Sequence, residues 1–191
     1  MKASIFRGLV SVLKQQGRSS AVEAKLSGDT LALVRSLPPA SAWVDGLNVV
    51  ELDEAIGAVL RDDELFELGR GAVSAELVGI TRAATEGILR LFGTKPDALF
   101  SRMSMFDSVT ARKVETLWRS TGPTSGEVRM RYTASKNLPV VIGKITAGIY
   151  SYAYDSCRVS GTITFEGYGN DERSEFLFVA NWGSNNPNIT R

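Results

Sequence analysis

The hydrophobic period of this chain changes once, near residue 112, and that change limits what the chain can fold into. Upstream, apolar residues recur at the three-and-four spacing that gathers them on one face of an α-helix. Downstream they alternate. In "RKVETLWRS", Val114, Thr116 and Trp118 fall on one side, while Lys113, Glu115 and Arg119 fall mostly on the other. In "EVRMRYTA", Val128, Met130 and Tyr132 alternate with Glu127, Arg129 and Arg131. Successive strand side chains point to opposite faces, so both segments read as half-buried strands. The "TGPTSG" between them predicts a hairpin turn.

Helical spacing then returns in "LPVVIGKITAGIYSYAYDS", with Val141, Ile145, Ile149 and Tyr152 as its core stripe. A second strand pair follows in "CRVSGTITFEG" and "RSEFLFVANW". The order predicts an α+β domain: a helical N-terminal half packed on a four-stranded, largely antiparallel sheet of β-β-α-β-β order. One domain is expected over residues 1–182, helical over about 3–110 and sheet-forming over about 111–182. Residues 183–191 read as a flexible tail. No internal repeat stands out.

Local signals place the helices. "MKASIFRGLVSVLKQQG" has an apolar run broken by Arg7 and Lys14 and no small-residue cleavage site, so it reads as a mature helix and not a secretion signal. Asp29 is expected to cap a helix that ends at Leu37-Pro38-Pro39, and Trp43 and Val44 to pin the connector after it. Asn48-x-x-Glu51 resembles a capping box for a helix buried through Val49, Leu52, Ile56, Val59 and Leu60. Asp62 or Asp63 suits the start of the next. Gly69 and Gly71 inside that helix each cost roughly 1 kcal/mol relative to Ala, which implies close packing or a break. Thr81 starts a further helix ending at Gly93, and Thr94 with Pro96 starts the last.

Composition excludes several chemistries. With no histidine, the chain alone builds no Ser-His-Asp or Cys-His mechanism and lacks the commonest metal ligand. One cysteine, Cys157, permits neither an internal disulfide nor a thiolate metal cage, and fits a cytoplasmic chain. It reads as a small buried hydrophobe at a strand start. A net charge of +1 predicts no strong attraction to nucleic acid or an anionic membrane, and no segment approaches a membrane span. No catalytic residue, metal ligand or cofactor is assigned.

"FEGYGNDERSEF" is the one stretch that looks like a ligand loop. A phosphate loop needs a helix behind its glycines, and a calcium loop needs alternating acids closed by a glutamate. A strand pattern follows instead, so the motif reads as a hairpin turn. The acids Glu51, Asp53 and Glu54, and then Asp62, Asp63 and Glu64, read as first-turn acids that favour the helix dipole. Arg119, Arg129 and Arg131 read as a solvated sheet face.

Two features point to a binding surface. Phe176, Phe178 and Trp182 share one face of the last strand while Leu177 and Val179 occupy the other, so burial is expected on both. One face can hold the helix over 139–153. The other then meets the N-terminal helices or another subunit. On that helix Gly143, Ala147, Tyr150 and Tyr154 form a second stripe suited to close packing, an interface or one wall of an apolar pocket.

Leu37-Pro38, Trp43, Gly69-Arg70 and Pro96, within "SLPPASAWVDGLNVVELDEAIGAVLRDDELFELGR" and "ILRLFGTKPDALFSRMSMF", carry a resemblance. Over about residues 3–182 the chain resembles an uncharacterised domain abundant in myxobacteria. That domain is itself similar to 4-vinyl-reductase-like domains, haem-NO-binding domains and TRAPP vesicle-tethering subunits. The resemblance implies helices packed on an antiparallel sheet and a sensory or scaffolding module that binds small hydrophobic ligands, tetrapyrroles or other proteins, often as a dimer. Haem-binding relatives use a histidine, and 4-vinyl-reductase-like domains often carry several cysteines near the C-terminus. This chain has neither, so haem and metal functions are not carried over. The expectation is a non-catalytic cytoplasmic domain that binds a partner protein or small apolar ligand and forms a homodimer. An enzyme or enzyme accessory acting on a hydrophobic or tetrapyrrole-like substrate is the alternative.

Overall fold

The switch of period marks a change of layer. The computed structural model describes residues 1–76, 85, 87–91 and 93–183, with the side chains of 74–76, 106, 108 and 109 excepted. Half of the expected helix from Thr81 lies outside the described residues, as does nearly all of the tail; 85 and 87–91 are helical.

Helices α1 (Ala3–Gln15), α2 (Ser19–Glu23), α3 (Gly28–Arg35), α4 (Gly46–Gly57) and α5 (Asp62–Glu76) come first. Two short helices follow, α6 (Pro96–Phe100) and α7 (Met103–Thr110). Strands β1 (Val114–Gly122) and β2 (Ser125–Tyr132), helix α8 (Val140–Cys157), and strands β3 (Gly161–Tyr168) and β4 (Glu175–Trp182) complete the order. The sheet runs β1-β2-β4-β3, every neighbour antiparallel.

Several start signals act differently from their sequence reading. Ser27, not Asp29, is the N-cap of α3, and its backbone N–H and hydroxyl both bond the Glu51 carboxylate across to α4. Asp45, not Asn48, caps α4 by accepting from Leu47 N at 2.8 Å. Asn48 and Glu51 instead receive the Thr30 hydroxyl and tie the two helices together. Lys95, not Thr94, precedes Pro96 at the start of α6, and a break at 101–102 divides the expected last helix into α6 and α7. Helix α8 runs on to Cys157, so this cysteine closes a helix and does not open a strand. Arg158 reverses the chain there in the left-handed region, at φ 55°.

The core has three tiers. On the sheet's inner face, Val128, Phe176, Phe178 and Ala180 are fully buried against α8. Tyr150 meets Phe178 edge-on with centroids 5.3 Å apart, and the Tyr154 hydroxyl donates to Thr162 O at 2.7 Å. On its other side α8 crosses α5, and α1 packs outside α5. The crossing has a specific basis. A Cβ on Gly69 would strike the Ile145 carbonyl, and one on Gly148 would strike that of Phe66. Paired glycines therefore let the two backbones touch. Of the two readings of Gly69, close packing is the one realised, and α5 is unbroken through it.

The hairpin tip between β3 and β4 is the "FEGYGNDERSEF" stretch. Gly167 sits at φ 124° where the β3–β4 register shifts, and Asn170 Oδ1 accepts from Ser174 N at 3.1 Å. The tip also holds the segment before α8. Asn137 N and Leu138 N donate to Glu172 O and Arg173 O at 3.0 Å each, Lys136 pairs with Glu172 at 2.8 Å, and the Tyr168 hydroxyl donates to Leu138 O.

Candidate functional site

Between the helices and the inner face of the sheet, packing is incomplete. Two adjacent cavities of about 130 and 330 Å³ lie there. They share Met1, Ile5, Ala111, Tyr132, Thr146 and Ile149 as wall residues. The smaller is completed by Val73, Leu99, Met103, Met130, Tyr150 and Ala153, with Asp107 among them. The larger is completed by Leu9, Val49, Val50, Leu138, Ile142 and Ile145, with Asp53 among them and Asp45, Leu47, Arg112 and Ser135 toward the outside.

A mainly apolar wall interrupted by two carboxyl groups is the unusual feature. Asp53 is 4% exposed, and its Oδ1 has no hydrogen-bond partner among the described residues. Burial, with the like charge of Glu54 as a lesser cause, pushes its pKa up to about 8. Asp107 is 8% exposed and accepts a hydrogen bond from the Thr116 hydroxyl. Burial raises its pKa to about 6 against the opposing effect of that bond. Tyr132 feels both carboxyls, and burial above all holds its phenol protonated well beyond the usual range. Tyr150 is shifted the same way by burial, then by Asp107 and Tyr132.

The acids of α4 thus play other parts than first-turn electrostatics. Asp53 lies mid-helix on the same face as Val49, Leu52 and Ile56, a position its spacing gives away once the apolar stripe is drawn. Asp62, Asp63 and Glu64 do occupy a first turn, where Glu64 accepts from Arg61 N at 2.9 Å. Trp43 does not enter the core. It is 36% exposed, between Lys2 Nζ at 4.3 Å and the Arg112 guanidinium at 4.2 Å from its ring centroid.

Of the residues singled out as a surface or pocket wall, only Tyr150 reaches a cavity. Gly143 packs against the Phe165 ring, Ala147 is buried, and Tyr154 is bonded to β3. Leu177 and Val179 stand half-buried on the outer face beside Arg129 and Glu127. Among the described residues, the N-terminal helices α4 and α5 stack on α8 from the sheet's inner side and not on that face. Leu117, level with Leu177 across Arg129, is 68% exposed. The outer arginines are partly paired, Arg129 with Glu175 at 3.1 Å and Arg119 with Glu127 at 3.8 Å.

Elsewhere, Cys157 lies outside both cavities, its thiol pushed up to about 12 by burial. Among the described residues no group of three or more Asp, Glu or Cys side chains is placed to hold a metal ion, and no helix is long and apolar enough to cross a membrane.

The arrangement is that of the H-NOX fold. No family model matches the sequence, and no curated protein matches it. Among solved structures, the chain is similar to the Fe(II) unliganded H-NOX protein mutant A71G from K. algicida. The TM-score is 0.69 at 13% identity, over 97% of this chain and 98% of that one. It is similar also to an oxygen-binding H-NOX domain related to soluble guanylate cyclases, in its oxygen complex. There the TM-score is 0.65 at 9% identity, over the whole of both chains. At these identities the likeness establishes the fold.

The walls offer neither a histidine nor a thiolate to a haem iron. Haem iron is held by histidine, cysteine thiolate, tyrosine, or methionine beside a histidine. The chain has no histidine, and its only cysteine is elsewhere. Tyr132 and Tyr150 are held protonated by burial, whereas a ligating group must give up its proton.

Proposed function

We propose that this chain is a non-catalytic sensory or scaffolding domain that takes a small, mainly apolar ligand between its helices and its sheet. The observation that carries this reading is the pair of cavities walled by aliphatic side chains and interrupted by Asp53 and Asp107. A cavity of about 150 Å³ accommodates benzene, and drug-sized ligands occupy roughly 300–1,000 Å³. The spaces here, of about 130 and 330 Å³, suit a molecule of one or two rings or a short chain. Solved structures of this fold include H-NOX proteins studied for their haem and one in an oxygen complex, which supports a ligand role. The resemblance to an uncharacterised myxobacterial domain, and through it to 4-vinyl-reductase-like and TRAPP-type proteins, supports a cytoplasmic sensing or tethering module.

A second part of the proposal is association, with a protein partner or a second copy, through the outer sheet face. Leu117, Leu177 and Val179 leave apolar surface there between ion pairs. Native mass spectrometry of protein purified from its own host tests both parts. A small molecule retained on the folded chain is the expected result. A bare dimer would favour association over ligand binding, and a bare monomer at high concentration would overturn both.

A further inference from the structure

Asp53 is difficult to explain as part of the scaffold. A buried acid without a partner destabilises a fold by several kcal/mol unless something compensates its charge or accepts its proton. Nothing described in the protein does so. The charged group that acts on it is Glu54, of the same sign. Arg112 shares the cavity wall but is stacked on Trp43, and the Met1 ammonium donates to Val44 O at 3.1 Å. Tyr132, from the β2 side, is near but is itself a neutral phenol. The Asp53 carboxyl therefore lines an apolar cavity with an unfilled acceptor, and the missing group is a hydrogen-bond donor bearing positive charge.

We infer that the larger cavity takes a primary amine on a short apolar body, its ammonium seated on the Asp53 carboxylate and its body against Val49, Ile142, Ile145 and Ile149. This rests on the cavity being a ligand site, and it adds the ligand's chemical class. A charge-assisted bond in a site of low dielectric is worth about twice a neutral one, so the amine is separated in affinity from an alcohol of equal length. A carboxylate would set a second negative charge against Asp53. With Asp53 protonated in the free protein near neutral pH, amine binding expels that proton, so affinity rises as pH rises toward 8. The charged and titratable groups around Asp53 are Glu54 on its own helix, Asp45 and Arg112 on the cavity wall, Tyr132, whose phenol burial holds neutral, and the Met1 ammonium, which burial holds below its usual range.

Isothermal titration calorimetry with hexylamine, hexan-1-ol and hexanoate, each at pH 6, 7 and 8, tests the inference on the intact chain. The expected order is amine over alcohol by at least tenfold at pH 8, with hexanoate weakest and amine affinity climbing from pH 6 to 8. In Asp53→Asn the amine falls to the level of the alcohol. Equal binding of amine and alcohol, or an amine preference that survives in the variant, overturns the amine and leaves the cavity standing. Binding of none of the three overturns both. The wild-type pH series holds whether or not the variant folds.

Discussion

Helix α8 is packed in two contrasting ways along one side. Where it crosses α5, Gly148 and Gly69 bring backbone against backbone. Toward α4 and β2 the same helix leaves two cavities, and two acids are buried in their walls. Folding free energy alone would favour closing such gaps, since lost contacts and unpaired polar groups both destabilise. The crossing behaves as scaffold. The face toward α4 and β2 is where the proposed ligand space lies.

The contrast can be broken most severely at the crossing. Gly148→Val places its side chain on the Phe66 carbonyl, and backbone cannot move aside as a flexible side chain can. A loss of at least about 3 kcal/mol is expected in urea denaturation, enough to unfold much of the protein. Retention of wild-type stability would mean that α5 and α8 are not fixed as described.

At the cavity end the sign reverses. Asp53→Leu removes a buried acid and fills space, so it should stabilise by about 2 kcal/mol at pH 7. It should also change the pH profile. In the wild type the folded state holds the Asp53 proton up to about pH 8, while the unfolded state releases it near the ordinary carboxylate value. The folded state thus binds more protons across this interval. Stability then falls as pH rises, by up to about 1.4 kcal/mol per pH unit, and levels off above the folded pKa. Asp107 contributes only up to about pH 6, and the Met1 ammonium, held below its usual range by burial, acts with the opposite sign, so the fall in stability between pH 6 and 8 belongs to Asp53 and should be lost in the variant. A wild-type profile that is flat there would show that Asp53 is solvated or paired.

The smallest change sharpens the polar side of the comparison. Thr116→Val deletes the one hydrogen bond described to the Asp107 carboxylate. A destabilisation of about 1 kcal/mol is expected. The Asp107 pKa, read by carboxyl infrared bands across a pH series, should climb above about 6, because that bond favours the charged form.

The sheet, its turns and α8 were legible because alternation, turn residues and helical spacing act locally. Gly69 was legible too, since a residue so unfavourable in a helix needs a neighbour close by. The caps were misjudged where two candidates stood within a few residues of each other, as with Asp45 and Asn48, because the choice depends on where the chain arrives from. Asp53 was misread for a different reason. Acids cluster around helix starts, and nothing local distinguishes one aimed at solvent from one aimed at a cavity whose other walls come from β2 and α8. The stripe of Gly143, Ala147, Tyr150 and Tyr154 was legible as a packing face, but its partner was the inner sheet, and the outer Leu177 and Val179 belong to a different surface.

The tip between β3 and β4 has a consequence for motion. Its carbonyls at Glu172 and Arg173 hold the amides of Asn137 and Leu138, and Leu138 with Ser135 belongs to the wall of the larger cavity. Those two amides become free to exchange with solvent when the tip lifts, so wall and tip open as one cooperative unit. The turn thereby braces the chamber beside it, and the protection of two backbone protons is expected to report how often the tip lifts.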